Sequence, residues 1–111
     1  MSRVQCLDYD LTLGYMMFEE FQNSLSMTAP PPGLSVELES LWYDGKGDWN
    51  QSHEVIQDIN SKNAAWIHAY LHRKEGDVGN AQYWYSRAGK AMPKGTLDEE
   101  WKALVEYFLE Q

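Results

Sequence analysis

The histidines of this chain are His53, His68 and His72, a short stretch that holds every imidazole in the sequence. His68 and His72 are four residues apart, so on a helix their rings project from one face with Cβ atoms about 6 Å apart, a spacing suited to gripping one metal ion. His53 belongs to the preceding predicted helix. If the two helices pack antiparallel, His53 with Glu54 or Asp58 could complete a three- or four-ligand site for zinc or another transition metal. The glutamate that would make a metalloprotease helix is not beside the first histidine. A plainer reading bonds each imidazole to a nearby carbonyl or carboxylate, His72 to Glu75 or Asp77 for instance. Histidines among carboxylates also suit acid-base catalysis without a metal, but spacing names no activated serine, cysteine or lysine beside them. Cys6 has no histidine near it in sequence and reads as an inert thiol.

A second candidate surface is basic. Residues 1–61 carry two basic and ten acidic side chains, residues 62–94 six and two, and residues 95–111 one and five. The middle block could meet an acidic partner through Arg73, Lys74, Tyr83 and Arg87, since tyrosine beside arginine is a common pairing at binding surfaces. It could equally lie against the acidic flanks of its own chain, where surface ion pairs contribute little. Tyr83 falls about 100° off the apolar face of its helix, which predicts exposure near Arg87.

These residues need helices to position them. Ala29-Pro30-Pro31-Pro32-Gly33 is the clear break, because three prolines fix extended backbone and remove three amide donors. It divides an N-terminal helical arm with its linker, residues 1–33, from a body, residues 34–111. In the arm, Leu11, Tyr15, Phe18 and Leu25, with Met17 and Phe21 beside them, predict an amphipathic helix weakened by Gly14. Its apolar side must be covered by the body or by a second copy, as in a homodimer. In the body, Ser35 caps a helix through Leu38, Leu41 and Trp42. Ser52, Val55, Ile56 and Ile59 mark a second, running from about Asp48 to about Asn60. A third, from about Asn63, is apolar nearly all round and should be the most covered. Ala81, Trp84, Tyr85 and Ala88 mark a fourth. Thr96-Leu97-Asp98-Glu99 is a capping box opening a fifth, with stripe Leu97, Trp101, Leu104, Val105 and Phe108. Trp66, Trp84 and Trp101 lie on these apolar stripes and read as core. No segment alternates with period two, so the fold class is all-α.

Shifting the chain by 29 residues pairs Gly47-Asp48 with Gly76-Asp77, Gln51 with Asn80, Ser52 with Ala81, Ile56 with Tyr85 and Ile59 with Ala88, a helix-turn-helix unit used twice. Gly76-Asp77-x-x-x-Ala81-x-x-x-Tyr85-x-x-Ala88-x-x-x-x-Pro93 resembles the second half of a tetratricopeptide repeat, and Ala81-x-x-Trp84-Tyr85-x-Arg87-Ala88 is similar to the second helix of a Sel-one-like repeat. The period is shorter than the 34 residues typical of tetratricopeptide repeats, and His72 stands where that family has an aromatic. Lys46-Gly47-Asp48-Trp49, His68-Ala69-Tyr70-Leu71-His72-Arg73 and Asn80-Ala81-x-Tyr83-Trp84-Tyr85 also resemble a family of short uncharacterised bacterial proteins. The tetratricopeptide likeness implies antiparallel helical hairpins that hold a protein segment in a groove.

Composition narrows the function classes. A net charge of −8 argues against a general nucleic-acid binder, which needs clustered positive surface. No apolar run approaches the roughly 18–20 residues of a membrane span, the first ten residues lack signal-peptide character, and one cysteine cannot make an internal disulfide. A cytoplasmic setting is therefore expected. The first functional expectation is a small non-enzymatic adaptor of tetratricopeptide-like build that binds an acidic protein or peptide, or binds itself. The alternative is a metal-binding protein on His53, His68 and His72, extending to hydrolysis.

Overall fold

Five helices open on a side chain that accepts a free amide at the third helical position, the requirement that makes serine, threonine and aspartate good N-caps. Ser35 accepts from Leu38, Asp48 from Gln51, Ser61 from Ala64, Asp77 from Asn80 and Thr96 from Glu99. The helices they open are α2 (Val36–Gly45), α3 (Trp49–Ile56), α4 (Lys62–Lys74), α5 (Val78–Ala88) and α6 (Leu97–Leu109), preceded by a short α1 (Phe18–Asn23) and a 3-10 turn at Ser24–Ser26. A computed structural model describes residues 16–111. Among them the fold is all-α, as the sequence predicts, with no strand. No helix there is long and apolar enough to cross a membrane.

Two turns, 29 residues apart, are built alike. Gly47 and Gly76 take φ of +87° and +90°, a region open to glycine because it has no Cβ to clash. The amide of Asp48 bonds the Tyr43 carbonyl and that of Asp77 the His72 carbonyl, both at 2.9 Å. This is the six-to-one closure of a Schellman end. Each aspartate therefore ends one helix with its N–H and starts the next with its carboxylate. The turns fold α2 onto α3 and α4 onto α5. Inside each hairpin small residues meet: Ser40 Oγ donates to the Ser52 carbonyl at 2.8 Å and lies 3.0 Å from Ser52 Oγ, while Ala69 and Ala81 are both fully buried.

α4 is the central element, with eight of its 13 residues buried, and α6 packs across α2 and α4. The main core gathers Phe21, Leu41, Trp42, Ile56, Ile67, Leu71, Leu104 and Val105. Trp66, Trp84 and Trp101 lie on their stripes but are half-buried, packed against the core from its edge. The fully buried indole is Trp42, whose Nε1 donates to Ser24 Oγ at 3.1 Å. α3 stops at Ile56, earlier than the apolar spacing suggests, and a tight turn from Ile56 to Ile59 brings in Ser61 to cap α4.

The predicted arm helix is represented by α1. It begins at Phe18 because Met17 is extended and its amide is taken by Glu20 Oε1 at 2.8 Å. Leu11 and Tyr15 lie outside the described residues. Phe21 is fully buried against the body, Phe18 packs edge-on to Trp101, and Lys46 Nζ clamps the carbonyls of Leu25 and Met27 at 2.7 and 2.8 Å. Phe21, Phe18 and Leu25 of this stretch thus pack on its own chain, while Met17 and Met27 stay exposed.

Candidate functional site

α3 presents His53, and α4 presents His68 and His72 one turn apart. The short Gly47-Asp48 turn and the loop to Ser61 bring α3 alongside α4, so the three imidazoles meet. One ring nitrogen from each lies within 4.8 Å of the other two. His53 Nε2 and His68 Nε2 are 3.0 Å apart. His68 and His72 are 7% and 8% exposed and His53 is half-buried, so the cluster reaches the surface at His53.

The rings are held by indoles. Trp49 stacks on His53 with centroids 4.9 Å apart and planes within 9°, and Trp84 stacks on His68 at 4.0 Å and 20°. Trp49 is itself fixed by its Nε1, which donates to the Leu71 carbonyl at 2.8 Å. Each of these two imidazoles has a flat indole against one face, and His72 stacks on the other ring of α4, His68, with centroids 4.7 Å apart, so ring rotation is limited.

His72 is oriented by a carboxylate. Its Nδ1 lies 2.7 Å from Glu75 Oε2, a contact in which the ring nitrogen donates and the carboxylate accepts. Nε2 faces the Asn80 amide nitrogen at 3.5 Å. The sequence reading offered Glu54 or Asp58 as the accompanying acid. Both are exposed and neither joins the imidazole group, whereas His72, Glu75 and Asp77 form a second, overlapping set. Burial is the main cause that lowers the pKa of His68, to about 4, with the charges of His53 and His72 adding to it. Burial, then the His72 charge, also lowers His53, partly offset by Glu75 and Glu54. Neutral imidazole is the form that ligates metal.

The four basic-surface residues divide. Arg73 Nη1 donates to Glu100 Oε1 at 2.6 Å, and its Nη2 to the Gly95 carbonyl. Lys74 Nζ donates to Asp44 Oδ1 at 2.9 Å. Both cations thus meet acids of their own chain. Glu100 and Asp44 are 6% and 3% exposed, and each takes a second donor, Tyr85 Oη at 2.5 Å and Tyr70 Oη at 2.6 Å. Burial, with the adjoining carboxylate, raises the pKa of both phenols. Tyr83 and Arg87 remain on the outer face of α5. Tyr83 is 53% exposed, Arg87 Nη1 donates to its hydroxyl at 3.1 Å, and the guanidinium lies 5.3 Å over the Trp84 ring.

Sequence reasoning missed the roles of Asp44, Glu100, Trp49 and Trp84. A signal existed for the acids: Glu100 is three residues after Leu97 and four before Leu104, and Asp44 three after Leu41, so both occupy the apolar stripe of their helix. A carboxylate at such a position needs a buried donor. Comparison with protein-family models, curated proteins and solved structures finds no match to this chain.

Proposed function

We propose that this chain is a small helical metal-binding protein that holds one zinc-class transition-metal ion on His53, His68 and His72. The observation that carries the reading is the convergence of three ring nitrogens from two helices within 4.8 Å. Zinc–imidazole bonds of about 2.0–2.1 Å set tetrahedral ligands about 3.3 Å apart, so the 3.0 Å between His53 and His68 is close to that spacing, and the pairs with His72, within 4.8 Å, close on it by side-chain adjustment. The Glu75–His72 bond adds support, because metal-bound histidines commonly donate their second nitrogen to a carboxylate. The imidazole set suits zinc, copper, nickel and iron rather than magnesium or calcium. Elemental analysis of untagged protein, with thermal melts before and after a chelator, tests it. Stoichiometric metal and a melting temperature that falls on chelation are expected. No metal after zinc addition, with an unmoved melt, would return the imidazoles to packing.

The adaptor reading keeps one favouring observation, the exposed Tyr83–Arg87 pair over Trp84. Under it, the two hairpins form a tetratricopeptide-like unit, and an acidic peptide meets Arg87 without Arg73 or Lys74. Loss of peptide binding on Arg87→Ala, with no effect of Lys74→Ala, is the outcome that would favour it.

A further inference from the structure

The number of ligands the fold supplies bears on what the metal could do, and this step rests on the metal reading above. Three imidazoles are neutral donors, so a divalent ion held by them keeps its whole charge in a partly buried position, where an unpaired charge is costly. The carboxylate within reach, Glu75, is engaged on the Nδ1 side of His72, while Nε2 is turned away from it and meets only the neutral Asn80 amide at 3.5 Å, a contact that a ligated ion would replace. Glu54 and Asp58 stand outside the group, and among the described residues no fourth side chain joins the three nitrogens. His53 sits at the solvent edge of the cluster. A zinc-class ion completes a four-coordinate shell, and where the protein gives three ligands the fourth comes from solution.

We infer that the site is open: the fourth coordination position is exchangeable and takes a small anion, and Glu75 is a positioning residue that orients His72 rather than a ligand. The anion supplies the negative charge that the imidazoles do not. Trp49 and Trp84 hold His53 and His68 flat, so exchange at the fourth position leaves the three protein ligands in place.

Cobalt(II) is the probe, because its visible bands report coordination number and ligand exchange. The full chain is loaded with cobalt alone and titrated with azide. One cobalt per chain, with bands that shift saturably on azide addition, is expected. Cobalt bound with a spectrum indifferent to azide would overturn the open position while leaving the metal reading intact. No cobalt bound and no zinc bound would remove both. A second readout comes from Glu75→Gln, a change at a side chain that is 40% exposed. Metal affinity should fall about 10- to 100-fold with the azide response retained. An azide response that arises only in the Glu75→Gln protein would make Glu75 the fourth ligand and sink the proposal.

Discussion

Two regions of buried charged and titratable side chains among the described residues solve their desolvation in different ways. On the side shared by α2, α4, α5 and α6, Asp44 and Glu100 each meet one cation and one phenol: Lys74 with Tyr70, and Arg73 with Tyr85. Charge is matched to charge and each pair is closed. Between α3, α4 and α5, imidazole faces imidazole at 3.0 Å, and the carboxylate present bonds the outer nitrogen of a single ring. The first region is a completed structural network. The second holds imidazole against imidazole, one of the His53 and His68 Nε2 atoms donating to the other with no cation among the described residues bonded to them, and a metal ion that displaces that proton would complete it.

Breaking the acidic network should have the largest effect. Glu100→Ala leaves Arg73 and Tyr85 facing a buried gap, and removal of one partner from a buried pair costs about 3–5 kcal/mol. Urea unfolding should show the midpoint falling accordingly, and a loss under 1 kcal/mol would place this pair with solvated surface bridges.

The imidazole region should respond to pH instead. In metal-free protein the folded pKa of His68 is about 4, below the usual 6.5 of an unfolded chain. Its contribution is unchanged above pH 6.5, where both states are neutral. As pH falls the unfolded chain takes up the proton first, so stability declines between 6.5 and 4, by roughly 2–3 kcal/mol. Equilibrium unfolding at steps across that window measures the slope. Replacing His68 by glutamine should flatten it, and an equally steep slope in that variant would assign the pH dependence elsewhere.

A smaller loss sharpens the view of Glu100. Tyr85→Phe removes one donor and keeps the arginine, so about 1.5–2 kcal/mol should go, the scale of a hydrogen bond to a charged acceptor. The smallest effect compares the hairpins. Ser40→Ala should cost about 1 kcal/mol by leaving Ser52 Oγ without its buried partner, whereas Ser40→Ala with Ser52→Ala imitates the Ala69–Ala81 contact and should recover most of it. A double variant whose loss is the sum of the singles would show that the hydroxyls act independently.

Much of the helical plan is readable in the chain because it rests on local chemistry. Caps at Ser35 and Thr96, and the repeated Gly47-Asp48 and Gly76-Asp77 turns, act over a few residues and leave a spaced signature. The same holds for His68 and His72, whose shared face follows from helical period alone. The acid beside His72 was legible too: the plainer reading bonds His72 to Glu75 or Asp77, and the Glu75 bond forms because residues three apart on a helix are neighbours. Glu54 and Asp58, offered as ligands from their nearness to His53 in sequence, are exposed.

Sequence alone determined the all-α class, the helix starts at Ser35 and Thr96, the two glycine–aspartate turns and the pairing of His68 with His72, since each depends on interactions a few residues long. Tertiary structure alone decided that His53 joins them, that Trp84 stacks on His68, and that the acids met by Arg73 and Lys74 are Glu100 and Asp44. Those contacts span 15 to 30 residues of chain. They depend on the angle and distance at which helices pack, which many side chains set together and no local spacing records.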